Sequence, residues 1–392
     1  MTEITYGVLR WRNTLDFVIA RHSHRPLHKI DDVPLTALRI GLYQLRYLSR
    51  VPDRAAVDES VRLTYAFGAA YAAPFVNAVL RNALREPEAP PLPQRESDPM
   101  GFLTTTLSHP EWLVRRYIHR LGLDDAEARC RRQNTFPPVH VRVVHPLSVD
   151  EARRALEDDG LTAVPVAGVP RCLAVSSSRL QESSIYQRGG LCIQDAGAQY
   201  ISQLLEVTPS DLVLDVCAAP GGKATAIAES VYRGRVLAID KRARRTLLIG
   251  SLARRLGLTN VQPVTADGAR LPVSREFERI LVDAPCSSLG TLRRNPDIKW
   301  RVVEDDLAAH AGRQRDLLAV AASHLSPGGR LVYATCSSEP EENEHVVATF
   351  LAEHPDLRLV PATVFATSEG YFQTRPERDD MDGYFAAILT RI

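Results

Sequence analysis

Two cysteines stand where a thiol could react. Cys286 lies in Asp283-Ala-Pro-Cys286-Ser and Cys336 in Ala334-Thr-Cys336-Ser-Ser, and each follows a β-rich run at a strand-to-loop exit. A free cysteine is ordinarily a small buried hydrophobe, but an inert pair would lie within the strands, not ahead of serines at two loops. A third thiol opens Cys217-Ala218-Ala219-Pro220-Gly221-Gly222-Lys223. The glycines of this turn let backbone approach a ligand, and the helix after it offers free N–H groups that suit a carboxylate. Cys217 itself reads as a structural or backbone contact. Asp240 ends the next β-rich run, about 20 residues past the glycines, where an acid in this fold class accepts hydrogen bonds from ribose hydroxyls. Asp267 and Asp283 end the following two runs. Any single Asp is explained as a cap or turn former; three at consecutive strand ends beside a glycine turn point to a nucleoside-bearing cofactor. The turn is not G-x-G-x-x-G, so a nicotinamide or flavin site is the weaker reading.

These positions need a scaffold, and the chain supplies one after residue 205. Asp-Leu-Val-Leu-Asp-Val, Gly-Arg-Val-Leu-Ala-Ile-Asp, Asn-Val-Gln-Pro-Val-Thr-Ala-Asp, Arg-Ile-Leu-Val-Asp-Ala-Pro and Gly-Gly-Arg-Leu-Val-Tyr-Ala-Thr-Cys are short β-rich runs separated by helical stretches. That alternation predicts an α/β, doubly wound, mostly parallel sheet of Rossmann-like type over 206–392, with ligands at the carboxyl ends of its strands. Ahead of it, 137–205 reads as a small α+β unit. Residues 86–136 read as a linker rich in proline followed by connecting helices, and 1–85 as all-helical, with Leu38, Leu42, Leu45 and Leu48 or Val76, Val79, Leu80 and Leu84 at helical spacing.

Composition narrows the partners. The 392 residues are 45% hydrophobic, enough for more than one core. Lys plus Arg number 48 against 47 Asp plus Glu, so a nucleic-acid surface must come from local clusters such as Arg115, Arg116, His119 and Arg120 on one helix. A solvated helix face explains that cluster at least as well. Arg242, Arg244, Arg245, Arg293 and Arg294 are further candidates for phosphate contact. No signal peptide and no membrane-length apolar run is visible, so a cytoplasmic protein without membrane contact is expected. The six cysteines contain no C-x-x-C pair, and no metal is expected. Cys130, Cys172 and Cys192 carry no functional expectation.

The Asp283 and Cys336 segments resemble the two characteristic motifs of the Sun family of RNA 5-methylcytosine methyltransferases, and Cys217 to Lys223 resembles its cofactor loop. Residues 1–85 are similar to the NusB-like helical domain that some members carry, so the similarity extends over nearly the whole chain. It implies S-adenosylmethionine as cofactor, contacted by Cys217, Ala218, Ala219, Pro220, Gly221, Gly222, Lys223, Asp240, Asp267 and Asp283. It also implies Cys336 as nucleophile, Asp283 as the group that hydrogen-bonds the base, and Cys286 as the residue that releases the product. The reaction implied is methylation of cytosine C5 in 16S ribosomal RNA, unassembled or in early assembly, by a monomer. The chemistry accounts for the residue types: C5 is a poor nucleophile until a thiolate adds to C6 and makes it an enamine carbon.

Three alternatives stand beside this. A DNA cytosine methyltransferase would use the cysteine of the Pro-Cys pair, here Cys286, and would need a region for duplex recognition. A methyltransferase acting on another RNA has the same motifs. A non-catalytic NusB-like RNA-binding scaffold needs neither thiol nor the three acids, and fails to account for them.

Overall fold

The computed structural model describes residues 2–86, 91–176 and 179–392. The chain divides into two compact units: Met1–Phe136 with Leu292–Glu304, and Pro137–Thr291 with Asp305–Ile392.

The first unit is helical. Helices Thr2–Arg10, Arg12–His22, Asp32–Tyr47, Asp53–Ala66 and Ala73–Arg85 enclose Leu15, Val18, Ile19, Leu38, Leu42, Val76, Val79 and Leu80. The helical spacing read from the sequence is thus a buried face, although Leu84, at the end of its helix, is exposed. Of the proline-rich segment read as a linker, residues 87–90 lie outside the described residues. From Pro91 the chain continues in this same unit through helices Glu111–Leu121 and Leu123–Gln133. Pro110 precedes the first of these as its cap, where a missing N–H costs nothing. Arg115 and His119 are exposed on that helix, whereas Arg116 pairs with Glu304 at 3.1 Å. Arg293 corrects an expectation: it is buried, its Nε donating to Thr135 Oγ1 at 2.9 Å and its Nη2 to Phe136 O at 3.2 Å, so it is a packing residue and not a phosphate contact.

In the second unit, strands β1 (Val139–Val143), β2 (Ala163–Pro165), β3 (Cys172–Val175) and β4 (Leu191–Ile193) form an antiparallel sheet in the order β2-β3-β1-β4. Helix Val149–Asp158 accompanies it, begun by a capping box in which Ser148 and Glu151 satisfy each other's backbone donors.

The larger sheet is built from β5 (Leu212–Val216), β6 (Arg235–Asp240), β7 (Val261–Thr265), β8 (Phe277–Asp283), β9 (Leu325–Thr335), β10 (Leu357–Val360), β11 (Phe372–Gln373) and β12 (Phe385–Arg391). Its order is β10-β12-β9-β8-β5-β6-β7, with β11 beside β12. Strands β5 to β9 run parallel, as read from the alternation, while β12 is antiparallel to both β9 and β10. The central strands are buried on both faces, one side around Val213, Ala238, Leu281 and Val332 and the other around Leu214, Ile239, Ile280 and Leu331. That is why they read as continuous apolar runs. The chain starts at β5, winds out to β7, then returns to β8 on the opposite side of β5. The strand order therefore reverses between β5 and β8, and a crevice opens at their carboxyl ends. No helix among the described residues is long and apolar enough to cross a membrane.

Candidate active site

At the reversal point, β5 ends and the chain turns sharply through Cys217, whose φ of 65° and Gly221's of 108° bend it into helix Gly222–Ser230. A Cβ on Gly221 would come 3.1 Å from Ile249 Cα, so both the angle and the spacing demand glycine there. No side chain caps this helix, which leaves its first N–H groups open to a ligand.

The acids at the strand ends hold this turn in different ways. Asp240, buried at the end of β6, accepts from Arg242 N at 2.9 Å, and Arg245 bridges it at 3.5 Å while donating to Ala219 O at 2.7 Å. Asp267, two residues beyond β7, pairs with Lys241 at 2.8 Å; that bond and one from Ala269 N hold its carboxyl below the usual range.

Asp215, one strand residue before the turn, carried no sequence expectation. It is fully buried, and neither of its carboxylate oxygens has a hydrogen-bond partner. Burial first, and Asp283 second, push its pKa well above the usual carboxylate range, against the opposing charge of Lys223. Burial of this kind favours the neutral acid, and the carboxylate is sustained only where a cationic ligand group comes to it. S-adenosylmethionine meets that requirement with its ammonium and sulfonium charges, and its carboxylate and ribose match the open helix end and Asp240, so the residues present fit this cofactor.

Lys223 is turned away from the turn's backbone. Its Nζ pairs with Asp283 Oδ2 at 2.7 Å and lies 5.6 Å over the Tyr384 ring. Burial opposes its charge, yet Asp283, Cys336 and Asp215 outweigh that and raise its pKa. Asp283 keeps Oδ1 free of any hydrogen bond among the described residues, so one oxygen of the acid remains available to a substrate.

Both thiols sit beside this pair. Cys286 Sγ and Cys336 Sγ are 3.3 Å apart and half-buried, and Cys336 Sγ is 3.4 Å from Ser288 Oγ. The hydrogen bond from Cys286 lowers the pKa of Cys336 against the effect of burial, with Ser288 and Lys223 helping and Asp283 opposing. The same bond, burial, and the charges of Cys336 and Glu342 push Cys286 well above the ordinary thiol value. The contact thus favours the anion on Cys336 and the proton on Cys286. Cys217 belongs to neither role, since burial and then Asp283 push it up to about 12. Cys130, Cys172 and Cys192 are buried.

Backbone contacts fix the two loops. Gly290 N donates to Cys336 O at 2.9 Å, and Gly383 N donates to Gly290 O at 2.8 Å. A Cβ at Gly290 would meet Gly383 O at 2.0 Å and Cys336 O at 2.8 Å, so only glycine allows this approach. Among the described residues no cluster of three or more His, Cys, Asp or Glu could hold a metal ion. Arg242, which caps helix Ala243–Arg255, and Arg244 and Arg245 in its first turn are exposed, though Arg245 is engaged as described.

Comparison with known proteins gives consistent results along the chain. The family described as 16S rRNA methyltransferase RsmB/F matches residues 202–390, the NusB family matches residues 1–85, and a ferredoxin-like domain of RsmF/B-like methyltransferases matches residues 109–179. The chain is similar to the probable ribosomal RNA small subunit methyltransferase B of Bacillus subtilis, with 35% identity over all of this chain and 90% of the relative. It is also similar to ribosomal RNA small subunit methyltransferase B of Vibrio cholerae, with 34% identity over all of this chain and 89% of the relative. Among solved structures, PH0851 superposes with a TM-score of 0.88 at 29% identity, covering 99% of this chain and 89% of that one. NSun6 from Pyrococcus horikoshii, solved with SFG, shares the fold at a TM-score of 0.66 and 22% identity, covering 72% of this chain and 98% of that one.

Proposed function

The chain belongs to the RsmB/F family of 16S rRNA methyltransferases, and from that premise we propose that it methylates C5 of a cytosine in 16S ribosomal RNA through a covalent bond between Cys336 and C6. The observation that carries this reading is the pair of sulfurs 3.3 Å apart at the ends of adjacent parallel strands, with opposite shifts in acidity. S-adenosylmethionine, when bound, supplies an electrophilic methyl group. Cys217 to Lys223, Asp215, Asp240 and Asp267 are the residues that would hold it in the crevice. This set differs from the sequence reading at two places. Lys223 is engaged with Asp283 rather than with the turn, and Asp215 joins the set.

Each remaining step falls to a residue of the chain. Cys336, whose thiolate is favoured by Cys286, Ser288 and Lys223, adds to C6. Addition at C6 builds negative charge on the N3 side of the ring; Asp283, with Oδ1 open, accepts from the 4-amino group on that edge, and the Lys223 ammonium beside it offsets the charge. Cys286, 3.3 Å from Cys336, gives its own proton to solvent once Cys336 is bonded to carbon and then takes the C5 proton that must leave before the sulfur is expelled. The helical unit, matched to the NusB family, supplies the RNA-binding appendage expected for single-stranded or loop RNA, whose bases are already accessible. Naked or early-assembly RNA and a monomeric enzyme belong to this proposal.

Bisulfite mapping of 16S ribosomal RNA from a strain deleted for this gene tests the assignment. One cytosine that resists conversion in the parent is expected to become fully convertible in the deletion and to be restored by the wild-type gene. An unchanged conversion map, with methylation lost at another base or atom, would remove cytosine C5 from the proposal.

A second test separates cofactor binding from nucleophile chemistry. Asp240→Ala is expected to weaken S-adenosylmethionine binding by about 10- to 100-fold in calorimetry, the loss of one or two hydrogen bonds to a charged acceptor. The rate of Cys336 alkylation by iodoacetamide should stay near wild type. Unchanged affinity in this variant would take Asp240 out of the cofactor site.

A further inference from the structure

We propose that Glu342 is a positioning residue for this reaction: its buried carboxylate grips the serine that follows each cysteine and so holds the two sulfurs side by side. The inference rests on the function proposed above.

Glu342 is fully buried, and no Lys or Arg pairs with it among the described residues. Its Oε1 accepts from Ser287 N at 2.8 Å and from Gln314 Nε2 at 3.1 Å. Its Oε2 accepts from Ser287 Oγ at 2.5 Å and from Ser337 Oγ. Ser287 and Ser337 are the residues next to Cys286 and Cys336, and their hydroxyls are themselves 3.1 Å apart. One carboxylate therefore ties the exit of β8 to the exit of β9. Gln314, on helix Asp306–Ser323, also donates to Pro285 O at 3.0 Å and braces the first loop. Behind the carboxylate, Tyr333 donates to Glu342 O at 2.6 Å and Thr335 to Asn343 Oδ1 at 2.5 Å, which anchors the short turn that carries Glu342 to β9.

A clamp alone could be made with a neutral amide. A carboxylate surrounded by donors instead of a cation keeps a net negative charge in the interior, and that is expensive unless the charge has a use. Its use here is the division of labour between the thiols. After the hydrogen bond to Cys336, burial and the charge on Cys336, the charge of Glu342 is a further cause that holds the proton on Cys286. Tyr333 is near enough to feel both Cys286 and Glu342, while Lys223, Asp283 and Tyr384 are the groups near Cys336. Glu342 is thus the fixed negative charge on the Cys286 side of the pair, and Lys223 the positive one on the Cys336 side.

The full chain, without RNA, tests this. Alkylation of each cysteine by iodoacetamide is followed by mass spectrometry from about pH 6 to about pH 9.5, a range that brackets thiol titration. In the wild type Cys336 should react ahead of Cys286. Glu342→Gln keeps the shape and removes the charge, so Cys286 alkylation at about pH 7.5 is expected to rise about tenfold, one pKa unit downward. Its kcat should fall about 100-fold, with KM for RNA and affinity for S-adenosylmethionine within about threefold of wild type. Ser337→Ala, which keeps the charge and removes one grip, should lower kcat but leave the Cys286 profile in place. A Glu342→Gln enzyme with the wild-type thiol profile and kcat overturns the proposal. Should that variant not fold, Ser287→Ala with Ser337→Ala strips Oε2 of both hydroxyls, and wild-type turnover from the double variant overturns it equally. The function proposed above fails on a different result, full methyl transfer by Cys336→Ala, whatever the thiol profile of the Glu342 variants.

Discussion

Replacing Cys336 with alanine is expected to lower methyl transfer by about 10⁴-fold or more, the scale seen when a covalent nucleophile is removed and binding is left intact. The reason is specific to the base. Cytosine C5 has no useful nucleophilicity until C6 carries an electron-rich substituent, and no other sulfur can supply it: Cys217 is held up to about 12 and Cys286 is the proton holder of the pair. S-adenosylmethionine binding should persist, because Cys336 contributes nothing to the turn at Cys217–Lys223 or to Asp240. The decisive measurement is trapping with an RNA that carries 5-fluorocytosine at the target, where the adduct cannot release its C5 substituent. Crosslinking is expected through Cys336 and should vanish in Cys336→Ala. A crosslink that survives Cys336→Ala and vanishes in Cys286→Ala would exchange the two roles and restore the arrangement expected of a DNA-type enzyme.

The parts of this site that were legible in the sequence are those in which a local pattern and a topological rule act together. A glycine turn after a β-rich run, an acid about 20 residues later and two cysteines at loop exits all sit at carboxyl ends of strands, and in a doubly wound sheet those ends share one crevice. Position along the chain therefore fixed position in space to within a strand. The antiparallel β12 escaped because Phe385 to Leu389 is apolar on both faces, and a run buried on both faces has no direction written in it. Asp215 and Glu342 escaped for another reason. Asp215 reads as one polar residue interrupting an apolar run, and Glu342 is one of three glutamates among Glu339, Glu341 and Glu342, a cluster that composition alone assigns to a solvated face. Only packing decides which of them turns inward. Arg293 is the reverse case: an arginine beside another arginine reads as a surface charge, yet its guanidinium is consumed by a hydroxyl and a carbonyl within its own unit.

Cys286→Ala is expected to stop the reaction at its far end, with RNA accumulating on the protein through Cys336. In the free site the hydrogen bond to Cys336, burial and the neighbouring anion keep the proton on Cys286. Once Cys336 is bonded to carbon, that hydrogen bond and that charge are gone, and burial and Glu342 alone hold the proton. Cys286 then gives its proton to solvent more readily than before, and the thiolate so formed is the base that takes the C5 proton. With alanine in its place the methylated base has no partner to take the proton, so Cys336 cannot leave. A single round of methylation should proceed, a protein–RNA species should survive denaturing electrophoresis with natural RNA and S-adenosylmethionine, and multiple turnover should fall about 10³-fold. The same substitution removes the hydrogen bond that most lowers the pKa of Cys336. The fraction of Cys336 present as thiolate near neutral pH must then drop, so adduct formation should be slower than wild type at about pH 7 and should catch up as the pH rises through the shifted thiol titration. A Cys286→Ala enzyme that turns over at the wild-type rate with no adduct, or whose adduct rate keeps the wild-type pH profile, would mean that the 3.3 Å contact between the sulfurs has no part in either half of the reaction.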